Sequence, residues 1–226
     1  MFSSRVPAPS SKSDRTRALL REIALRSFRE DGYDATTIRR IAQEAGVSVG
    51  TTHYHFASKN QLVQELYLDV QQRHRAALSP VLDESDDLIE RLRAVYRTGL
   101  EELTPYHPHA GEFVSAALAP KSDINPLSAE STAARDITEE LFERAVAGAK
   151  HSLPDDIARG LPSALFLGHL LLALYWVYDS SPGQAKTRRL LDRGLGLLKL
   201  ALPLARLPLV RKPITELIDM IGEVRA

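Results

Sequence analysis

Four polar side chains that lie close together in the chain, Thr51, His53, Tyr54 and His55, could contact nucleic acid. Hydroxyl and imidazole groups donate hydrogen bonds to phosphate oxygens, and short or flat side chains fit against base edges in a groove. Such contacts need a rigid element that presents all four together. The residues that precede them indicate what that element is.

The segment 37–59 predicts two short helices joined by a tight turn and followed by a third helix. Apolar residues recur in its first part at steps of three and four, which is the pattern of the buried side of a helix: Ile38, Ile41, Ala42 and Ala45. Polar residues occupy the other side and are expected to face water: Arg39, Arg40, Gln43 and Glu44.

Local signals predict where these helices begin and end. Thr37 and Ser48 are residue types that cap helix starts. Gly46 readily adopts the left-handed conformation that ends a helix. The second helix is therefore expected over about 49–55, and it carries the four polar side chains. This is the pattern of a helix-turn-helix.

The segment and the residues before it resemble the N-terminal domain of the TetR family of bacterial transcriptional repressors. The chain differs from the usual family pattern at Thr52 and His53, where the family has Leu and Tyr, and at Val49, where it often has a basic residue. The resemblance rests on these positions: Leu20, Ala24, Phe28, Gly32-Tyr33, Thr37, Ile41-Ala42, Ala45-Gly46-Val47-Ser48, Gly50-Thr51, Tyr54-His55-Phe56, Ser58-Lys59 and Leu62.

The resemblance implies an all-α fold with an N-terminal helix-turn-helix DNA-binding domain and a larger helical ligand-binding and dimerisation domain. We expect a flexible arm over 1–11, the DNA-binding domain over 12–57 and the larger domain over 58–226. The residues implied to contact DNA are Thr37, Ser48, Gly50, Thr51, His53, Tyr54, His55 and Lys59, and Arg39 is added as a contact to the DNA backbone. Two alternatives remain: Tyr54 or His55 could instead pack against the first helix, and Thr37 could be a cap only.

Composition is consistent with this reading. The chain has no net charge, but residues 1–62 carry ten Lys or Arg against six acids, which places an excess of four positive charges in the part that holds the motif. Such an excess favours binding to phosphates. Cysteine is absent, which excludes disulfides and thiolate metal sites and fits a cytoplasmic protein.

The larger part reads as further helices. One helix is expected over 58–78, ending before Pro80, with Leu62, Leu66, Val70 and Ala77 as its inner stripe. The most apolar segment, 163–178, follows Pro162. About sixteen residues span roughly 24 Å, less than the roughly 30 Å core of a bilayer, so a buried helix is favoured over a membrane span and no membrane partner is expected.

The next helix, over 184–202, carries two apolar stripes, more than one neighbouring helix would cover. The two stripes are Leu191, Leu195, Leu198 and Leu202, and Leu190, Gly194, Leu197 and Ala201. The segments 163–178 and 184–202 resemble the last two helices of the family, which form a four-helix interface. We therefore expect a homodimer, although the same helices could complete a monomeric core. An extra helix is expected over 211–223, with no role assigned.

Aromatic residues and histidines of the larger part could line a pocket for an unidentified small-molecule effector, although they would equally suit an ordinary core. The candidates are Tyr96, His109, Phe113, Phe142, Phe166, His169 and Trp176. A metal site at His107, His109 and Glu112 is an alternative, but their spacing does not place the three on one side of a helix. No metal or cofactor is therefore expected.

The sequence predicts a ligand-responsive regulator, most simply a repressor, which binds a near-palindromic stretch of double-stranded DNA as a homodimer. The main alternative is a helical ligand-binding or interaction protein that does not read DNA. A remote alternative is a magnesium-dependent isoprenoid enzyme, suggested by the pattern Asp86-Asp87-Leu88-Ile89-Glu90. Acids in the first turn of a helix are explained more simply by the helix dipole, so an enzyme is not expected.

Overall fold

The computed structural model describes residues 11–150 and 153–223, which form helices and contain no strand. The all-α class is confirmed. The α-helices are α1 (Lys12–Glu30), α2 (Gly32–Ala35), α3 (Ile38–Glu44), α4 (Val49–His55), α5 (Lys59–Leu82), α6 (Leu88–Leu103), α7 (Ala110–Ala117), α8 (Thr132–Ala147), α9 (Asp155–Val177), α10 (Ala185–Ala201) and α11 (Pro208–Glu223). Short 3-10 helices follow α6, over Thr104–His109, and α10, over Leu202–Arg206.

The predicted arm falls outside the described residues except for Ser11. That residue caps α1, because its side chain accepts a hydrogen bond from the backbone N–H of Asp14 at 3.0 Å. The sequence also predicts a helix over about 129–151; α8 ends at Ala147, and His151 lies outside the described residues.

Two hydrophobic cores share the long helix α5. The first lies among α1–α4, contains Leu62 and Val63 of α5, and is completed by Tyr106 and Phe113 from the segment after α6. The second lies among α6, α8, α9 and α10 and includes Leu78 and Leu82 from the other end of the same helix. We call the α1–α4 unit the reading head and the helices from α6 onwards the body. Because α5 is continuous, it ties the head and the body together.

Two predicted helix boundaries were wrong because prolines lie inside helices. Helix α5 continues through Pro80 to Leu82, and α9 begins at Asp155 and contains Pro162. A proline inside a helix costs about 3 kcal/mol, since it lacks an N–H and crowds the preceding turn. Buried residues beyond each proline, Leu82 and Leu165, offset this cost.

The expected inner stripe of α5 was wrong at one position. Ala77 is exposed, and the buried stripe runs instead from Val70 through His74 and Leu78 to Leu82 at four-residue steps. Helix α9 has 23 residues and is long and apolar enough, by length and composition alone, to cross a membrane. The argument from a sixteen-residue length was therefore wrong.

Two histidines meet at the middle of the body. His74 of α5 and His169 of α9 lie on either side of Gly99 of α6, and a Cβ at Gly99 would lie 3.0 Å from Cε1 of His74 and 3.3 Å from Cε1 of His169. The Nε2 of His74 lies 2.9 Å from the carbonyl oxygen of Val95 and donates to it. Burial lowers the pKa of His74 to about 4 and that of His169 to about 3, so both imidazoles are neutral in the folded protein.

The lowered pKa values of these two histidines predict that the free energy of unfolding falls in mild acid. In the unfolded chain each titrates near 6.5, so below that pH the unfolded state binds more protons and stability falls as pH is lowered towards the folded-state pKa values. Between pH 7 and pH 5 the two histidines should together lower the free energy of unfolding by about 4 kcal/mol. Urea unfolding of the intact chain at both pH values measures this change. The variant His169→Leu should show roughly half the loss, and an equal loss in the variant and the parent would contradict the assignment.

Candidate nucleic-acid interface

Helix α4 is fixed to the reading head by its cap and by one buried threonine. The Ser48 hydroxyl accepts a hydrogen bond from the backbone N–H of Thr51 at 3.0 Å, and this caps the helix. Thr52 is fully buried, and its hydroxyl donates to the carbonyl oxygen of Ser48 at 3.3 Å. Gly46, with a φ of +66°, turns the chain between α3 and α4 as expected.

The opposite side of α4 faces outward. Tyr54 is 80% exposed, Gly50 and His53 are exposed, and Thr51 and His55 are half-buried. Thr37 and Ser48, which cap α3 and α4, are exposed as well. The predicted residues of these two helices are thus exposed or half-buried, and the structure does not bury Tyr54 against α1. Their contacts with DNA remain a prediction.

Arg39 is the cation of α3 that is available to a ligand. It is exposed and forms no ion pair or hydrogen bond with any residue that the structure describes. Its neighbour Arg40 is bound to Asp31 at 2.8 Å, and Arg26 of α1 is bound to Glu44. Internal ion pairs therefore use much of the positive excess of the reading head.

Lys59 differs from the other predicted contacts because it already has a partner inside the protein. Its Nζ donates to the carbonyl oxygen of Tyr33 at 3.0 Å and lies 3.7 Å from the centre of the Tyr33 ring. Desolvation lowers the pKa of this ammonium group, although Asp34 and Glu112 act in the opposite direction. Lys59 holds the start of α5 against α2, which the sequence did not predict.

Helix α7 clamps the body onto the reading head. Glu112 accepts a hydrogen bond from the backbone N–H of Asp34 at 2.8 Å, and this contact lowers the pKa of its carboxyl group. Nδ1 of His109 lies 3.1 Å from Oε1 of Glu112, and its Nε2 lies 3.2 Å from the carbonyl oxygen of Glu30. Gly32 has a φ of +87°, and a Cβ there would lie 2.6 Å from atoms of both side chains. The clamp therefore requires a glycine at this turn.

The residues predicted to line an effector pocket do not form one group in the structure, and their contact with an effector remains a prediction. Tyr96, Phe142 and His169 pack together in the body core, with ring centres 5.1–6.3 Å apart, and Phe166 belongs to the same core. Trp176 lies at the edge of this core and contacts His107. His109 and Phe113 lie at the head–body junction, where Phe113 packs against Phe28 and Tyr33. The separation could not be read from the sequence because it depends on how α7 folds back onto α1.

The described part of the chain contains at least two clefts. One of about 500 Å³ lies between the first turns of α5 and the segment leading into α8, and it is lined by residues that include Gln61, Gln64 and Glu130. A smaller cleft of about 210 Å³ lies between α6 and α10 and includes Trp176. Of the predicted effector residues, only Trp176 lines either cleft.

The acidic residues near the start of α6 cap the helix or form ion pairs with nearby cations. Asp87 caps α6 by accepting a hydrogen bond from the backbone N–H of Glu90 at 3.0 Å. Asp86 is bound to Lys150, and Glu90 is bound to Arg93 at 3.2 Å. The three carboxylates thus have separate partners. Within the described residues no group of three or more His, Asp or Glu is placed to hold a metal ion.

The sequence reading missed two positions that couple parts of the molecule. His74 follows Val70 by four residues on the buried stripe of α5, and that spacing could have identified it as a core residue. Glu112 was considered only as a metal ligand. Its contact with α2 joins residues 78 positions apart, for which no local signal exists.

Comparison with known families gives two matches that together cover most of the chain. Residues 91–222 match a family described as the C-terminal domain of Tetracyclin repressor-like proteins. Residues 20–66 match a family described as bacterial regulatory proteins, tetR family.

Individual relatives match over part of their length. The HTH-type transcriptional repressor KstR2 of Mycobacterium tuberculosis H37Rv is 34% identical over 91 residues, which are 40% of this chain and 46% of KstR2. The nucleoid occlusion factor SlmA of Vibrio vulnificus YJ016 is 28% identical over 137 residues, which are 61% of this chain and 65% of SlmA. The aligned region thus spans less than two thirds of either relative.

Solved structures share the fold. A tetR-family regulator from Streptomyces coelicolor has a TM-score of 0.63 at 16% identity, covering 93% of this chain and 89% of its own. A TetR regulator from Nitrosomonas europaea has a TM-score of 0.60 at 18% identity, covering 80% and 96%.

The clamp at Glu112 predicts a measurable contribution to stability. Glu112→Ala removes a hydrogen bond to the backbone N–H of Asp34 and the partner of His109, so the free energy of unfolding should fall by about 1 kcal/mol. Urea unfolding monitored by circular dichroism measures the change. Glu101→Ala, which removes an exposed glutamate of α6, is the matched control and should change stability by less than about 0.5 kcal/mol. Equal effects of the two substitutions would show that the clamp does not stabilise the fold.

Proposed function

The chain belongs to the tetR family of bacterial regulatory proteins, and on that premise we propose that it is a cytoplasmic transcriptional repressor that binds DNA as a homodimer and is released by a small-molecule effector. The outward surface of α4 is the observation that carries this proposal. That surface presents Tyr54, His53 and Thr51 on a helix whose other side is locked into the reading head. A helix of this kind fits the major groove of B-DNA. The name of KstR2, a transcriptional repressor, supports repression as the direction of control.

The C-terminal helices support dimerisation through α9 and α10. Along α9, Leu171 and Tyr178 are 69% and 72% exposed, and Leu197 of α10 is 68% exposed. The first predicted stripe of α10, led by Leu191 and Leu195, packs into the body, while the second remains exposed. An apolar surface of this extent is typical of a protein interface. A second copy related by a two-fold axis would cover it and place two reading heads on one side of a duplex.

The core of the body offers a route for release. An effector that enters among α6, α8 and α9 must displace Tyr96, Phe142 or His169 from their mutual packing. His169 faces His74 of α5 across Gly99, so displacement at this point is transmitted to the helix that enters the reading head. The effector would favour a spacing of the heads that no longer matches successive grooves. DNA must then weaken effector binding by the same factor.

A selection from random duplexes with the purified full chain tests DNA reading. We expect enrichment of a near-palindrome whose half-sites lie about 10 base pairs, or a multiple of that, apart, because each head reads one major groove. Enrichment of a single unpaired half-site would argue against the dimer. No enrichment at all would support the alternative of a helical binding protein that does not read DNA.

Substitution of single cations should identify the side chains that contact the DNA backbone. On the selected site, Arg39→Ala should weaken binding similarly for all sequences and lower the slope of log affinity against log salt by about one unit. Lys59→Ala should do the same if its ammonium group contacts a phosphate in addition to Tyr33. Arg75→Ala is the matched control, because Arg75 is an exposed arginine in the second half of α5 and is paired with Glu140 of α8. A slope unchanged by Arg39→Ala would remove Arg39 from the interface.

A further inference from the structure

Helix α11 is docked onto the first half of α9 by specific contacts. The guanidinium group of Arg211 binds both carboxylate oxygens of Asp156, at 2.8 and 3.0 Å, and the Thr215 hydroxyl donates to the same carboxylate at 3.1 Å. Ile218 is buried together with Ile157. Gly160 provides the space for it, since a Cβ at Gly160 would lie 2.0 Å from Cγ2 of Ile218. The position of α11 on α9 is therefore specified by the sequence.

The same stripe of α9 is covered in its first half and open in its second. Successive steps of three or four residues lead from Gly160 through Ala164 and Leu167 to Leu171 and Tyr178, so all of these lie on one side of the helix. Ile218 of α11 contacts the stripe at Gly160. Leu171 and Tyr178 remain exposed. Helix α11 thus lies on the continuation of the proposed dimer surface.

The outer side of α11 carries apolar side chains beside one exposed ion pair, Lys212 with Glu216. Leu209, Leu217 and Met220 are turned away from Ile218 and are 88%, 57% and 62% exposed. The connection from α10 adds Leu204 and Leu207, which are exposed as well. Exposed apolar side chains thus occur along α9, α10, this connection and α11, interspersed with the exposed cations Lys199, Arg206 and Lys212. An exposed apolar stripe on a docked helix is costly to hydrate unless another surface covers it.

The covered half of α9 lies at the end of the body that is far from the reading head. The backbone N–H of Lys150, just before α9, donates to the carbonyl oxygen of Asp86, next to the start of α6. At the other end of α9, the carbonyl oxygen of Trp176 accepts a hydrogen bond from His107, in the 3-10 helix that packs on the reading head. In a two-fold dimer whose heads face one duplex, the head-distal ends of the two bodies lie opposite each other.

We propose that the outer side of α11, formed by Leu209, Leu217 and Met220, packs against the head-distal end of a second copy of the chain and extends the dimer interface there. The inference rests on the proposed dimerisation through α9 and α10, and it names a second copy of the chain as the partner that covers α11. Because α11 packs over the first half of the α9 stripe, the two copies of α9 approach each other near the heads and diverge at the head-distal end. Helix α11 of each copy fills the space between them.

Dimer dissociation constants of full-length variants test the proposal. The double substitution Leu217→Glu with Met220→Glu leaves the contacts of Ile218 and Arg211 intact but places charges on the outer side. It should raise the dissociation constant at least tenfold, measured by sedimentation velocity over a dilution series, with unchanged helix content by circular dichroism. Leu197→Glu on α10 tests the shared surface in the same assay and should also weaken the dimer at least tenfold.

The two proposals fail in different ways. A dissociation constant within twofold of the parent for the α11 variant, together with a tenfold increase for Leu197→Glu, overturns the role of α11 and leaves the α9–α10 dimer standing. No effect of either substitution, or a parent chain that is monomeric, overturns the dimer surface and the role of α11 together.

A spin label gives a second measurement that does not depend on disrupting the interface. The sequence contains no cysteine, so Met220→Cys introduces a single attachment site. We expect the label to be immobilised in the dimer and to become mobile on dilution to the monomer. A label at Leu118→Cys, an exposed position of the body outside the proposed surface, should stay mobile at both concentrations. A label that is equally mobile at both positions would overturn the proposal.

Discussion

A single continuous helix that belongs to two hydrophobic cores is the constraint on which this structure depends. Helix α5 contributes Leu62 and Val63 to the reading head and Leu78 and Leu82 to the body. Each core fixes its own end of the helix, so neither can move along α5 without exposing buried apolar surface. A change in the body can therefore reach the head as a displacement of α5, as a change at the α7 clamp, or through the 3-10 helix after α6, whose Tyr106 belongs to the core of the head.

The clamp gives this arrangement a second connection. Glu112 and His109 hold the turn between α1 and α2, while Lys59 holds the first residue of α5 against Tyr33. Both contacts meet at the turn between α1 and α2, because Glu112 lies close enough to Lys59 to influence its pKa, so α7 and α5 hold the same turn of the head. These contacts also give the proposed effector response a defined route through α5 and α7.

The sequence best predicted the structural features that depend only on residues adjacent in the chain. Helices α3 and α4 begin and end where Thr37, Gly46 and Ser48 predict, because caps and left-handed turns depend on the few residues around them. The outward surface of α4 followed from the same local pattern. The sequence placed the domain boundary near Ser58, which is where α5 begins. Because α5 contributes to both hydrophobic cores, this boundary does not separate two independently packed units.

Long-range contacts limited the prediction in the body. Pro80 and Pro162 were read as helix ends, since their cost is local and visible in the sequence, whereas the packing of Leu82 and Leu165 that offsets it is not. The aromatic residues were grouped by composition, but Phe113 packs with Phe28 and Tyr33 of the head, and Phe142 packs with Tyr96 of the body. The separation of these groups is fixed by how α7 packs against the head and how α8 packs against α5 and α9, which no short segment encodes.

Gly99 sets the distance between three helices by lacking a side chain. Its missing Cβ leaves just enough room for the edges of His74 and His169, at 3.0 and 3.3 Å. A larger side chain at this position would have to displace one of the two imidazole rings or the helix that carries it. The close approach of α5, α6 and α9 at this point thus depends on a residue that has no side chain.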